Sequence, residues 1–300
     1  MIIESVGGGN YMQWIRFKSF RFLYSLNFGK FIFGLFILFA VSSQSSAKTL
    51  KQELDDLPQI NIEIASFHFP PFTQRTKKGG VSGKGVETAK AFCTIARMTC
   101  EVILYPTARA YMNIENGTSD VLMTADIRRF ERCCDYSKWS YPFVAGLITE
   151  RLNDDIPFKE ANLKGHSLVM VRGWQSIYDV YPNLKDLVAK GEVELIETNS
   201  IESAIKIYSR SRTSLLWGSR KVFEWYFNQM SVQWKEEDFK PLVLSSAGIW
   251  ISKRSEQHEN ILYRFNLAFQ YLKTQGSLDK ENFLEPSLMK LVYSEAETPN

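Results

Sequence analysis

The sequence predicts an α/β protein built from two sets of alternating strands and helices. Short segments rich in β-branched residues alternate with stretches whose apolar residues recur at helical spacing, as in a doubly wound sheet. An extended segment near residues 145–149 separates the first set from the second. The 300 residues are 45% hydrophobic, which is enough for about two domains with cores of their own.

The first set is predicted to have the order β-α-β-α-β. Ile60–Phe67 alternates apolar and polar residues, as a half-buried strand does, and Pro70 and Pro71 end it because proline cannot donate to a strand ladder. Residues 73–85 are predicted as a polar, glycine-rich loop. The remaining predicted elements are helix Val86–Arg97, strand Glu101–Tyr105, helix Thr107–Asn116 closed by Gly117, and strand Val121–Thr124.

The second set follows the extended segment and alternates in the same way. Leu242–Ser252 is predicted either as a strand pair or as one long crossing segment. The other predicted elements are strand Ser167–Val171, helix Trp174–Tyr181, strand Val193–Glu197, helix Ser200–Ser209, strand Ser214–Trp217, helix Lys221–Gln229, helix Asn260–Thr274 capped by Gly276, and a short helix Glu281–Leu291.

The first 47 residues have the pattern of an export signal. Basic residues precede the apolar run Phe31–Val41, and Ser45 and Ala47 occupy the −3 and −1 positions of an A-x-A-like cleavage site. The run has 11 residues, whereas a membrane-spanning helix needs about 20. A cleaved signal peptide and a periplasmic location are therefore favoured over an uncleaved anchor at Phe20–Val41.

The net charge of +3 lies entirely within these first 47 residues, so the predicted mature chain Lys48–Asn300 is neutral. A neutral body argues against nucleic acid as a partner and against polybasic attachment to a membrane. Met1 and Met12 remain alternative start codons.

Four cysteines fit an exported chain, because disulfides persist outside the cytoplasm. Cys93 lies near the end of a predicted helix and Cys100 at the start of the next strand, so a turn can bring them within bridging distance. We favour that pair. The adjacent Cys133 and Cys134 are either a vicinal bridge or two thiols. The sequence has no paired C-x-x-C and no H-E-x-x-H spacing, so neither a metal nor a cofactor is expected.

Short motifs are spread along the chain in a consistent order. They are Phe69-Pro-Pro-Phe72, Gly83-x-Gly85-Val86-Glu87, Cys93-x6-Cys100, Gly117-x-x-Asp120, Glu131-Arg132, Asp135-Tyr-Ser137, Ser140-Tyr-Pro142, Leu163-Lys-Gly165, Gly173, Ile251-Ser-Lys253 and Gly276. Through them, residues 60–290 resemble the polar-amino-acid class of periplasmic solute-binding proteins, type 2, family 3. The motifs indicate the fold more strongly than the ligand.

The resemblance implies two doubly wound α/β lobes joined by two crossing strands. Lobe 1 would comprise residues 48–147 and 250–300, and lobe 2 residues 148–249. In that family the ligand lies in the cleft between the lobes, and hinge closure buries it. The resemblance further implies a monomer whose partners are a small-molecule ligand and an ABC permease or a membrane sensor.

Seven residues are candidate ligand contacts. Phe69 and Phe72 follow the first strand, where they can stack on a ligand or pack under the loop. Arg132 resembles the family arginine that pairs with the ligand α-carboxylate, although Arg128 and Arg129 beside it also fit a solvated basic turn. The others are Arg109 at a helix start (alternatively in a surface salt bridge), Thr124 at a strand end, Trp174 (alternatively in the core) and Ser176.

One segment departs from the family. Amino-acid binders usually carry an aspartate after a second-lobe strand to hold the ligand ammonium, but this chain has Leu215-Leu-Trp-Gly-Ser-Arg220 there. The departure counts against an ordinary α-amino acid, and Trp217 suggests a larger or aromatic ligand. Asp126 is the alternative source of a carboxylate.

The predicted function is a periplasmic solute-binding protein for a small polar ligand, anionic or amino-acid-like, serving an ABC importer or a sensor. The alternatives are a non-transport interaction or sensory module, and a lobe pair derived from a cell-wall enzyme without its catalytic domain. No enzymatic activity is predicted. The sequence has no G-x-S-x-G elbow, and Gly80-Val-Ser-Gly-Lys-Gly85 lacks the Ser or Thr that follows the lysine of a P-loop.

Overall fold

A computed structural model describes residues 49–149, 159–210, 213–230 and 235–284. The predicted signal peptide and its cleavage site lie outside these residues. Among the helices within the described ranges, none combines the length and the apolar character that crossing a membrane requires.

The N-terminal part of the described chain alternates short strands with three helices. Its elements are α1 (49–55), β1 (Ile60–Ser66), β2 (Gln74–Arg75), β3 (Val81–Ser82), α2 (Lys84–Ile95), β4 (Met98–Leu104), α3 (Thr107–Asn116), β5 (Val121–Ala125) and the long strand β6 (Cys134–Ile148). Gly117 closes α3 in the left-handed conformation at φ 78°, which glycine adopts without steric cost.

A second alternation follows, and a second long strand then leads to the last helix. The elements are β7 (Ser167–Val171), α4 (Ser176–Val180), α5 (Leu184–Ala189), β8 (Glu194–Thr198), α6 (Ile201–Ser209), β9 (Leu215–Ser219), α7 (Arg220–Met230), β10 (Phe239–Ser252) and α8 (His258–Thr274). The hydroxyl of Ser200 accepts a hydrogen bond from the backbone N–H of Ser203 and so caps α6.

Eight strands form one sheet in the order β4-β1-β5-β10-β6-β9-β7-β8. At one end β1 runs parallel to β4 and β5, and at the other β7 runs parallel to β8 and β9. Between them β6 and β10 pair antiparallel along most of their lengths. The two-lobe α/β fold with two crossing strands is therefore confirmed. We call the β4-β1-β5 end the first lobe and the β9-β7-β8 end the second lobe.

The crossing strands are longer than the sequence pattern indicated. The segment predicted as a strand pair or one long strand is a single strand, β10. The extended segment predicted at Ala145–Thr149 is the end of β6, which begins as early as Cys134. Proline at positions 142 and 241 hid this continuity, because proline usually interrupts a ladder.

Two predicted segments differ from the structure, and two helices, α1 and α5, were not predicted. Residues 73–85 contain the β2–β3 hairpin, whose two-residue strands are too short to show alternation. Residues 281–284, the described part of the helix predicted at Glu281–Leu291, form a turn and a bridge instead. The Asp279 carboxylate accepts the backbone N–H groups of Glu281 and Phe283 at 2.8 and 2.9 Å, which holds the turn. The six-residue helix α5 is too short to show a period.

The cysteines divide into one bridge and two thiols. Cys93 on α2 and Cys100 on β4 form a disulfide with their Cα atoms 6.1 Å apart. Cys100 is the third residue of β4 rather than the first. Cys133 and Cys134 are free thiols, so of the two alternatives for this pair the vicinal bridge is not formed. Burial raises the pKa of the Cys134 thiol, which keeps it protonated.

Candidate functional site

A cavity of about 40 Å³ lies where the two lobes and the two crossing strands meet. Its wall includes the end of β1, the end of β5 and the middle of β6. From the second lobe come the loop after β7 and the end of β9. The carboxyl ends of parallel strands from both lobes therefore face one space, which is where open α/β sheets bind ligands.

Seven aromatic side chains line the cavity. Phe69 is central among them: its ring centroid lies 5.8 Å from Phe67, 5.8 Å from Trp174 and 6.3 Å from Phe143. Phe69 belongs to the first lobe and Trp174 to the second, so this edge-to-face pair joins the lobes. The seven are Phe67, Phe69, Tyr111, Tyr141, Phe143, Trp174 and Trp217.

The polar side chains of the wall are all neutral. The Ser66 hydroxyl donates to the Thr73 hydroxyl at 3.4 Å, and the Tyr111 hydroxyl lies beside Thr124. Burial raises the pKa of Tyr111, so the phenol stays protonated. The polar set is Ser66, Thr73, Thr124, Gln175, Ser176 and Ser219. Within the described ranges of the chain, no Asp, Glu, Lys, Arg or His lines the cavity.

Trp217 combines complete burial with an unpaired donor. It is the third residue of β9, opposite Leu147 of β6, and no acceptor in the described part of the chain meets its indole N–H. The next residue, Gly218, has to be small. A Cβ there would lie 2.5 Å from the Phe223 ring and 3.0 Å from the Trp174 ring. Close packing against the Phe223 and Trp174 rings therefore explains why a glycine follows Trp217 in the segment Leu215–Ser219.

Other contacts between the lobes surround the cavity. His68 Nε2 and the Tyr226 hydroxyl share a hydrogen bond of 3.0 Å, from the end of β1 to α7. A Cβ on Gly173 would lie 3.4 Å from the backbone nitrogen of Ala108, so the β7 loop passes close to the start of α3. Partial burial and the nearby Arg75 lower the pKa of His68, which favours the neutral imidazole.

The structure brings four of the seven candidate contacts together. Phe69 and Thr124 line the cavity from the first lobe, and Trp174 and Ser176 line it from the second. Trp217 joins them. Because the first lobe and second lobe supply adjacent parts of one wall, these residues are well placed to touch one small molecule.

The other three candidates lie elsewhere. Phe72 is buried beneath the wall, with its ring stacked on Tyr141 at 4.9 Å and on Phe283 at 5.8 Å, which matches its alternative as a packing residue. Arg109 on α3 and Arg132 after β5 are exposed and outside the cavity wall. Their roles as ligand contacts stay predictions that this geometry does not support.

The basic turn and Asp126 also lie outside the wall. Arg129 donates two hydrogen bonds to Glu115, at 2.6 and 2.8 Å, and its guanidinium lies 5.3 Å from the centre of the Tyr111 ring. Arg128 and Asp126 are exposed. Partial burial and the neighbouring Glu131 raise the pKa of the Asp126 carboxyl. The turn thus lies against α3 and solvent rather than in the cavity wall, with Arg128 and Glu131 close enough to the second lobe to influence the pKa of Asp179 on α4.

Sequence reasoning missed several wall residues for which a signal was available. Tyr141 and Phe143 are two residues apart on β6, and alternate residues of a strand share one face. Ser66 lies at the end of β1, three residues before Phe69. Gln175 lies between the two second-lobe candidates. Knowledge that β6 is continuous through Pro142 would have identified the first two.

Neither a protein-family model nor a curated protein sequence matches this chain. Solved structures are similar. An ancestral arginine-binding protein bound to arginine gives a TM-score of 0.58 at 17% identity, covering 79% of this chain and 98% of its own. A substrate-binding protein of an ABC uptake transporter from Streptococcus pneumoniae, with bound histidine, gives a TM-score of 0.58 at 15% identity, covering 76% of this chain and 91% of its own. A histidine kinase sensor domain with similarity to periplasmic binding proteins gives a TM-score of 0.57 at 16% identity, covering 78% of this chain and 95% of its own.

The chain therefore has the fold of the periplasmic binding proteins, in agreement with the type 2, family 3 resemblance of its sequence. Identities of 15 to 17% establish the fold and no more. The similar structures named above are two binding proteins and a sensor domain.

Proposed function

We propose that the protein is a periplasmic solute-binding protein that captures a small molecule by closing its two lobes around the central cavity. The observation that carries this proposal is the single cavity wall to which both lobes and both crossing strands contribute. Such a wall is complete only when the lobes meet, so binding and closure are coupled. The protein would act as a monomer, with lobe boundaries near residues 147 and 250.

The size of the cavity supports entry by lobe separation. An accessible volume of about 40 Å³ has room for only a few water molecules, at about 10–15 Å³ for each. A larger ligand therefore fits only when the lobes stand further apart than in this structure, with the Phe69–Trp174 and His68–Tyr226 contacts separated. These contacts are an aromatic pair and one hydrogen bond, each worth about 1 kcal/mol, so opening them is inexpensive.

The test is compaction on binding. A thermal-shift screen of amino acids, amines, small acids and neutral aromatic compounds would first supply a ligand, which calorimetry would verify. Small-angle scattering should then show a smaller radius of gyration for the saturated protein than for the free protein. An unchanged profile at verified saturation would contradict closure and favour a rigid interaction module.

Two roles fit a binding protein of this fold. The transporter proteins among the similar structures favour delivery to an ABC permease, and the kinase sensor domain favours a membrane sensor. Chemical cross-linking in cells, with and without ligand, should trap either a permease or a histidine kinase. Recovery of neither, under conditions in which the scattering change is seen, would contradict both roles.

The periplasmic location rests on the N-terminal sequence pattern. Mass spectrometry of a periplasmic extract should find a mature N-terminus at or near Lys48. Recovery of the full-length chain in the membrane pellet would contradict cleavage.

A further inference from the structure

The described cavity wall has no charged side chain that could pair with a charged ligand. Its polar members are hydroxyls and one amide, and no ionisable side chain other than the protonated phenols lines it within the described residues. Enclosing an unpaired carboxylate or ammonium in such a place is strongly unfavourable, because the charge loses its hydration and gains no opposite charge. A zwitterionic amino acid would bring two such groups.

The charged residues nearest in sequence to the wall are used or exposed elsewhere. Arg129 is bound to Glu115 by two hydrogen bonds, and Arg220, directly after the wall residue Ser219, pairs with Glu224 at 3.3 Å. Asp126, which follows the wall residue Ala125, is exposed. The chain therefore directs its charges away from the cavity on both the first-lobe and the second-lobe side.

The wall offers surfaces for a flat ring. Phe69 and Trp174 meet edge to face at an interplanar angle of 71°, and Phe143 is tilted by 34° from Phe69. A planar ring between such faces gains contact area together with favourable stacked or edge-to-face geometry. Aliphatic side chains in the wall are few by comparison, with Met123 and Ile127 the largest of them.

One wall residue, Trp217, carries an unsatisfied hydrogen-bond donor. The buried indole N–H of Trp217 meets no acceptor in the described chain, and a buried donor without a partner is costly. Gln175 can donate and accept, and the hydroxyls of Ser176 and Ser219 can do both. A carbonyl or amide oxygen attached to the ring would satisfy the indole.

We infer that the ligand is an uncharged aromatic compound bearing a carbonyl or amide group, and that the site discriminates against carboxylates and zwitterionic amino acids. This inference rests on the proposed function. Closure on the ligand would place the ring between Phe69 and Trp174, replacing their direct edge-to-face contact, and the oxygen on the Trp217 side of the wall.

The experiment compares benzamide with benzoate, which has nearly the same shape and carries a charge, and with phenylalanine. Calorimetry on the mature protein should give a Kd for benzamide at least tenfold lower than for either charged compound. Toluene, which has a ring and no acceptor, is the fourth probe. Benzamide that fails to bind, or a charged probe that binds as tightly or more tightly, overturns the inference.

The variant Trp217→Phe keeps an aromatic ring and removes the N–H. It should weaken benzamide about tenfold and leave toluene unchanged, whereas Trp225→Phe, a tryptophan outside the cavity wall, should change neither. Equal losses for benzamide and toluene would assign Trp217 a packing role only and overturn its part in recognition.

The outcomes for the ligand class and for the proposed function are separable. If benzoate or phenylalanine binds better than benzamide and still reduces the radius of gyration, the ligand class is wrong and the solute-binding function stands. If benzamide binds with the expected preference but the radius of gyration does not change, the ligand class stands and closure is wrong.

Discussion

Strand β5 connects two regions that lie in opposite environments. Its end forms part of the buried cavity wall, and the basic turn at residues 128–132, which follows it, is exposed to solvent. Thr124 at the end of β5 faces the cavity, while Arg128, Arg129 and Arg132 a few residues later are exposed. The 3-10 turn Arg128–Phe130 buries the Phe130 ring and leaves its two arginines exposed. A position shortly after a strand end therefore brings the backbone to the cleft, but the local turn decides which side chains enter it.

The largest expected difference between the two regions is in stability. Trp217→Ala removes a fully buried ring from the wall and should lower the free energy of unfolding by about 3–5 kcal/mol. Arg132→Ala removes an exposed side chain and should change it by less than about 0.5 kcal/mol. Urea unfolding of both variants measures the difference. Similar losses would mean that the turn is part of the structural core.

The next difference is in affinity. Phe69→Ala deletes the ring that contacts Phe67, Phe143 on β6 and, across the lobes, Trp174. It should weaken a verified ligand about 30-fold, or about 2 kcal/mol. Arg132→Ala changes the residue that was predicted, from the family resemblance, to bind a ligand carboxylate, and it should weaken the same ligand less than about threefold. Calorimetry decides. A large loss of affinity for Arg132→Ala alone would support the prediction that Arg132 binds an anionic group of the ligand.

The sequence predicted the parts of the fold and of the cavity wall that depend on local patterns, and it missed those that depend on contacts between distant segments. Strand alternation and helical periodicity are local, so α3 and β7 were predicted with the bounds that the structure has. The pairing of β6 with β10 is long-range, and prolines concealed it. Phe69 and Thr124 were found because they lie at strand ends, and Trp174 and Ser176 because the family resemblance places ligand contacts there. The direction of Arg132 is set by the three-residue turn Arg128–Phe130, which is too short to produce a periodic pattern in the sequence.

A smaller effect separates an unpaired indole from a paired one. Trp139 in the first-lobe core donates its N–H to the backbone oxygen of Asn282 at 2.7 Å, whereas the N–H of Trp217 meets no acceptor in the described chain. Trp139→Phe should therefore cost about 1 kcal/mol more in unfolding free energy than Trp217→Phe, since only the first breaks a hydrogen bond. Thermal and urea unfolding in the absence of ligand provide the comparison. Equal costs would indicate that Trp217 has a partner outside the described residues.

The smallest expected effect concerns pH, and it follows from the lack of ionisable groups in the wall. With a neutral ligand, any pH dependence of binding should come from the rim, where His68 shares a hydrogen bond with Tyr226 and lies near Arg75 and Glu202. In the closed form, burial and Arg75 lower the pKa of His68, while Glu202 acts to raise it. Burial raises the pKa of Tyr226 to about 12, so its phenol stays neutral. Opening the lobes relieves the burial, which is the larger cause, and leaves Arg75 of the same lobe in place. As the pH falls, the open form therefore takes up a proton before the closed form does. Affinity should thus be constant from pH 8 to about pH 7 and fall by about threefold or less towards pH 5. His68→Gln should remove the decline, while a decline that persists in this variant would locate a titrating group in the cavity itself.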